Sequence, residues 1–354
     1  MSASKANFES GSLKDIDSDL ISRISLLWLG RLGDVIVATP FLRALRTRFP
    51  KARIRLIASY RSSEVLPLIP FIDDWLVLGK PNNIGAHLRL LRQILFYPSD
   101  LVVDLNPSLS KTSTILLRLI KAPIKLSFEK YRHTGILTHQ IPPAQDKEPM
   151  LERYRRLADA LNAAYEPRLE LRVSEADAHQ AALLFESFTK KGNPSFKMLI
   201  HPGNFKRRSS CWKEECFARL SSELLKDPNI DIYYLAGPGE EGQVRDIVRR
   251  ITARNAPILP RMSLGVLAAF MRHMDLFFCN TTGTTHLAIA VGTPTFAIHT
   301  GYTHAIWNTG GSKDFALASG NWDSCRDLPY EDIRAPLIRM IHQLSSDAIL
   351  DKPK

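Results

Sequence analysis

Cysteine is scarce in this chain, with four in 354 residues: Cys211, Cys216, Cys279 and Cys325. They form neither a CxxC pair nor zinc spacing, which argues against a disulfide-framed or zinc-stapled fold and fits reduced thiols in the cytoplasm. Long apolar runs are missing as well. No stretch approaches the roughly 20 residues that span a bilayer. The first twenty residues are rich in Ser, Asp and Lys and lack the apolar core of a secretory signal; residues 1–22 read as a mobile polar leader. Acidic residues are in deficit, 36 against 47 Lys and Arg, so the formal charge is +11. That excess favours nucleotides, phosphorylated glycolipids, an acidic membrane surface or nucleic acid, although a generally basic, solvated surface explains it equally. No nucleic-acid motif accompanies the charge, so nucleic acid is not an expected partner. What is present is globular: 45% hydrophobic, 23% charged, and long enough for two ordinary cores.

Strand-like and helix-like runs alternate through the first half. Ile24–Leu29, Arg53–Ala58, Trp75–Leu78 and Leu101–Leu105 read as strands; Val35–Arg48 and Ala86–Leu95 carry helical spacing. Pro142, Pro143 and Pro149 interrupt the pattern, helices follow over Met150–Ala164 and Ser174–Lys190, and the grammar then restarts. Lys197–Ile200, Ile230–Leu235, Leu276–Cys279 and Thr295–Ile298 are the strands of the second half. Repeated strand–helix units predict parallel sheets covered on both faces. The expected architecture is α/β: two Rossmann-like, doubly wound domains facing across a cleft. Their bounds are 23–165 and 196–330, with a linker over 166–195. A C-terminal helix, 331–354, is expected to pack back on the first domain.

Four turns carry the candidate chemistry. Leu29-Gly30-Arg31-Leu32-Gly33-Asp34 places one carboxylate where a strand gives way to a helix, the edge at which open α/β sheets bind ligands. Capping of the helix start is the alternative reading of Asp34. His201-Pro202-Gly203-Asn204-Phe205-Lys206-Arg207-Arg208 is a strand end, a glycine turn and three consecutive cations, able to neutralise a diphosphate or merely to be solvated. Gly237-Pro238-Gly239-Glu240-Glu241 offers a carboxylate to ribose hydroxyls, or a cap to the next helix. Asn280-Thr281-Thr282-Gly283-Thr284-Thr285-His286 leads into an Ala-rich helix. Its free N–H groups and hydroxyls suit a phosphate, with His286 as a further donor. Three of these turns follow strands of one domain and would line one sheet edge.

These residues resemble a known family. Gly33-Asp34, Thr39-Pro40-x-Leu42-x-x-Leu45 and Phe49-Pro50 look like the opening of glycosyltransferase family nine, the lipopolysaccharide heptosyltransferases and their relatives. His201-Pro202-Gly203 through Trp212, and Gly283-x-x-His286-x-Ala288-x-Ala290-x-Gly292-x-Pro294, are similar to the family's second-domain motifs. The resemblance spans roughly residues 23 to 345. It implies a GT-B fold, a nucleotide-sugar donor (ADP-linked) held by the second domain, a glycolipid or glycan acceptor on the first, inverting transfer, and no metal or other cofactor. Asp34 then corresponds to the proposed catalytic base, Gly283, His286 and the adjoining threonines to the diphosphate turn, and Glu240 or Glu241 to a ribose-contacting acid. The chain departs from the family at Thr281, where an aspartate is usual, at Ser210, where a basic residue is common, and over His299–His304. A non-transferring nucleotide-sugar-binding protein and a sugar-nucleotide epimerase are the competing readings. Asp15, Asp17 and Asp19 lie in the leader and are poor metal ligands for a nucleotide site. The basic surface fits peripheral contact with the cytoplasmic face of the inner membrane.

Overall fold

A computed structural model describes residues 13–80, 82–130, 135–188 and 195–350, with side chains to residue 346. The chain divides into two compact units, Met1–Leu171 and Arg172–Lys354.

The first unit is built on six strands, β1 (Arg23–Trp28), β2 (Arg53–Ser59), β3 (Asp74–Leu78), β4 (Leu101–Asp104), β5 (Ile124–Phe128) and β6 (His139–Ile141). They pair in the order β3-β2-β1-β4-β5-β6, every pairing parallel. Central β1 and β4 are almost wholly buried, because helices cover both faces and an apolar run suits neither face to water. β6 stops at Ile141 because Pro142 and Pro143 have no N–H for a ladder. The order reverses between β1 and β4, so the crevice at their carboxyl ends is the switch point where such sheets take ligands.

The helix expected over Val35–Arg48 is instead two, Leu32–Val37 and Thr39–Arg48. Pro40 has no N–H to give the Ile36 carbonyl; the Thr39 hydroxyl donates to it instead, at 2.7 Å. The leader is likewise partly packed. Residues 1–12 lie outside the described residues, but Leu13 and Ile21 are buried and Asp19 pairs with Lys51 at 2.9 Å. Two apolar residues in a polar stretch are enough to pin it down.

The second unit has five parallel strands, β7 (Phe196–His201), β8 (Ile230–Tyr234), β9 (Leu276–Asn280), β10 (Thr295–His299) and β11 (Asp314–Ala318), ordered β11-β10-β9-β7-β8. Its switch point falls between β7 and β9. Trp212 anchors the core: it is fully buried, its Nε1–H donates to the Leu328 carbonyl at 3.0 Å, and its ring meets Phe217 edge-on and Tyr330 face-on. The helix Tyr330–Leu350 packs on the second unit itself. Ile333, Leu337 and Ile341 join the second unit's own core, and Arg334 holds Glu223 on the helix Glu214–Leu224. Much of the expected linker is also part of this unit, since the helix Glu175–Phe188 stacks Phe185 on His273 (4.8 Å) and sets it edge-on to Phe270.

Truncating Trp212 removes a large buried ring and orphans a carbonyl. Trp212→Ala is expected to cost about 3–5 kcal/mol, seen as a lower denaturant midpoint for the second unit. An unchanged midpoint would show that the core closes without it.

Candidate functional site

In the first unit, Asp34 is the third residue of the helix that follows β1. Its Oδ2 accepts the Arg31 N–H at 2.6 Å, which caps the helix start and folds the carboxylate back over Gly30. A Cβ on residue 30 would lie 2.6 Å from that oxygen, so only glycine leaves room. The Ser59 hydroxyl donates to the Gly30 carbonyl at 2.7 Å and fixes the turn to β2, while Gly33 is buried within it. Burial pushes the Asp34 carboxyl above its ordinary range, against the opposing pull of the Arg31 N–H and guanidinium. A raised carboxylate half-buried at a switch point is a group poised to take a proton. Sequence reading missed Tyr154, on the helix Met150–Ala160. It is fully buried between Trp28 and Phe41, and its hydroxyl has no hydrogen-bond partner among the described residues. Burial, and then the charge of Asp34, push its phenol well upward. A tyrosine 120 residues downstream carries no local signal of this neighbourhood.

In the second unit, the loops after β7, β8 and β9 are tied into one web. His201 closes β7; its Nε2 pairs with Glu240 Oε2 at 3.2 Å and its Nδ1 with the Thr284 hydroxyl at 2.9 Å. Glu240 also accepts the backbone N–H groups of Asn204 (2.9 Å) and Gly237 (3.1 Å). Burial alone would raise the Glu240 carboxyl, but the His201 bond and charge and the two amides hold it below its ordinary value. Buried Asn280, at the end of β9, accepts from Trp212 N–H and donates to the Pro202 carbonyl, each at 3.0 Å. Gly203 sits where a Cβ would meet His201 Nε2 at 2.3 Å and Glu240 Oε2 at 2.4 Å; no other residue fits without parting that pair.

The web presents the start of the helix Gly283–Ala290. Thr282 and Thr284 hydroxyls pair at 2.7 Å, and Thr282 N–H donates to the Thr285 hydroxyl at 3.0 Å. The Thr285 N–H is taken by the Thr282 carbonyl at 3.1 Å, which leaves the Gly283 and Thr284 amides and the helix dipole for an anion. Lys206, Arg207 and Arg208 occupy the tight turn Phe205–Ser210 after Asn204, whose φ is +82°. All three are exposed, and none makes an ion pair among the described residues. Gly239 and Glu241 are exposed on the neighbouring loop.

Three of the expected site residues are engaged within the protein. Both Glu240 oxygens hold loops together, whereas Glu241 is exposed and makes no ion pair among the described residues. Thr281 turns inward, its hydroxyl donating to the Ile298 carbonyl at 2.7 Å. His286, expected to donate to a phosphate, lies one turn into the helix with its ring buried on the face that packs on β10. It lines a cavity of about 10 Å³ with His299, Thr309 and Asp314. His286 Nδ1, His299 Nδ1 and the Thr309 hydroxyl are buried there without partners among the described residues. Burial pushes the His286 imidazole down to about 4. Burial, aided by His286 and His304, takes His299 to about 3.

Residues 87–328 match Glycosyltransferase family 9 (heptosyltransferase). The chain is 25% identical over 289 residues to Lipopolysaccharide heptosyltransferase 1 of Campylobacter coli, covering 78% of this chain and 83% of that protein. Its fold is that of a family 9 glycosyl transferase from Veillonella parvula, with a TM-score of 0.79 and 20% identity over 96% of this chain and 99% of the other. The heptosyltransferase WaaC of E. coli, solved with ADP-2-deoxy-2-fluoro heptose, has a TM-score of 0.68 and 16% identity over 90% of this chain and 99% of that one. The chain belongs to glycosyltransferase family 9, and its two Rossmann-like units are the GT-B fold of such enzymes.

The buried histidines set an acid limit. Unfolded imidazoles protonate near 6.5, whereas His286 and His299 resist to about 4 and about 3. Their contribution is therefore whole above about pH 6.5 and is lost as pH falls, by at most about 1.4 kcal/mol per pH unit each. Asp314, pushed by burial up to about 6, has the opposite sign and gains stability as pH drops from there toward 4. In Tm measured against pH, His299→Asn should flatten the acid limb and Asp314→Asn should steepen it. Slopes identical to wild type in both variants would remove this cavity as the cause.

Proposed function

We propose that this glycosyltransferase inverts the anomeric centre of a nucleotide-diphosphate sugar, a heptose or related sugar on ADP, and places it on a lipopolysaccharide-type acceptor. The carrying observation is the β7/β9 switch point, where a helix start with threonine hydroxyls is tied to the His201 and Glu240 loops and three unpaired cations stand exposed on the turn after Asn204. The WaaC structure holds an ADP-heptose analogue, which supports an ADP-linked donor here. Asp34 acts as the base: it takes the proton of an acceptor hydroxyl as that oxygen attacks the anomeric carbon, and the bond to the diphosphate breaks. Lys206, Arg207, Arg208 and the amides of Gly283 and Thr284 meet the charge on the leaving group. The reading calls on no metal, because those cations and amides supply the positive charge. Reaction in the cytoplasm, at the inner membrane face, follows from where such an acceptor is found.

One observation favours a second reading. The Thr281 hydroxyl is engaged by the Ile298 carbonyl and brings no carboxylate to the donor sugar. A nucleotide-sugar-binding protein without transfer is therefore the rival.

Nucleotide release from ADP-, GDP- and UDP-sugars, with an extracted glycolipid acceptor, separates the two. Acceptor-dependent release should fall about 10²- to 10⁴-fold in Asp34→Asn, with nucleotide affinity retained. Because the carboxyl is raised, kcat/KM should fall on the acid side at a pH above that of an ordinary aspartate. Nucleotide binding without release from any pair supports the rival, and undiminished release by Asp34→Asn removes Asp34 from the role of base.

A further inference from the structure

The helix Ile84–Leu95 buries little of its apolar surface. Leu90 and Ile94 join a core cluster under it, but Ile84 is 70% exposed, Leu88 62%, Leu95 41% and the adjoining Phe96 80%. Ile84, Leu88 and Leu95 recur at intervals of four and seven, so they form one stripe along the helix. Arg89 and Arg92 stand exposed beside the stripe without an ion pair or hydrogen bond among the described residues. Large apolar side chains are not left together on a surface without a partner for them.

The charge of the surrounding chain says what that partner is. Residues 75–128 contain seven Lys and Arg but only two carboxylates, Asp100 and Asp104. Both are turned inward: Asp100 accepts from Ser22 and from Arg23 N–H, and Asp104 is fully buried against Lys130. No acidic group of this stretch therefore offsets the cations outside. The helix Lys111–Leu119 shares the same core cluster, hence the same face of the sheet. It adds exposed Ile115, at 56%, with Lys111 and Arg118. A cavity of about 600 Å³ beside the first helix is lined by Tyr60, Lys80, Asn83 and Arg89 among others, a recess open to a phosphate-bearing headgroup.

We infer that this face of the first unit is a docking surface for an anionic lipid bilayer. The apolar stripe enters the boundary between headgroups and acyl chains, and the unpaired cations meet lipid phosphates, as in interfacial amphipathic helices. Its use in presenting a membrane-borne acceptor rests on the reading above; the lipid binding does not.

The test is vesicle co-sedimentation of the full chain, using phosphatidylcholine alone or with roughly a third phosphatidylglycerol. The wild type should bind the anionic vesicles, weaken with added salt and leave neutral vesicles largely unbound. Arg89→Glu with Arg92→Glu, and separately Leu88→Glu with Phe96→Glu, should each lower binding by roughly tenfold or more. All four side chains are exposed, so thermal melting should match wild type, and nucleotide release with a water-soluble acceptor should persist. Absence of binding to anionic vesicles, or equal binding to both compositions, overturns the surface without touching the transferase assignment. So does a change of oligomeric state in Leu88→Glu/Phe96→Glu without vesicle binding, which would give the stripe to a protein. Loss of release in the wild type, with vesicle binding intact, would instead overturn the transferase reading.

Discussion

The second unit's site depends on a single carboxylate turned inward. Glu240 joins the amide after Gly203, the amide of Gly237 and the ring of His201, so the loops after β7 and β8 share one anion, and the His201 ring extends the tie to Thr284 after β9. In a partly desolvated place such charge-assisted bonds are strong, and each one lost leaves a polar group unpaired. The consequence is rigidity at the point where the sheet changes direction. A helix start can receive a phosphate only if its first amides keep their aim, and His201 carries that aim from Glu240 through the Thr284 hydroxyl.

The two units reach comparable edges by different means. Asp34 has no such network among the described residues: the carboxylate is held by one backbone N–H over a glycine gap. Its environment withdraws water and supplies little compensation, which raises its proton affinity. Glu240, also sheltered, is compensated three times over and stays low. The same side-chain chemistry is thus divided between a group that can exchange a proton and one that stays ionised, through environment alone.

Much of this architecture was readable in advance, and the failures share a cause. Apolar runs such as Leu101–Leu105 and Leu276–Cys279 announce buried parallel strands, because burial on both faces leaves a continuous signal. The glycine turns declared themselves for a similar reason, since close approach admits only one residue type. Side-chain direction was not readable. Whether His286 points at a ligand or at β10, and whether Glu240 faces solvent or Asn204, is decided by contacts with residues far away in sequence. Tyr154 was invisible for the same reason. The strands β5, β6 and β11 escaped because polar residues interrupt them, Lys125 and Ser127 in β5, His139 and Gln140 in β6 and Asp314 in β11, and the edge strands β6 and β11 are only partly buried. The polar leader misled because Leu13 and Ile21 weigh little in composition and much in packing.

The distinction between architecture and chemistry is sharpest at Asn280-Thr281. Asn280 satisfies the Trp212 amide and the Pro202 carbonyl at once, a pairing that needs a donor and an acceptor on one short, uncharged side chain. Neither aspartate, which has no donor, nor threonine, which cannot span both loops, would replace it. Thr281 is under a weaker demand. Its hydroxyl adds one bond to a carbonyl, Ile298, that lies beside the ladder and already receives the Thr281 N–H. A carboxylate there could not make that bond and would be turned toward solvent and any bound ligand. The fold therefore constrains residue 280 tightly and leaves residue 281 open to other side chains.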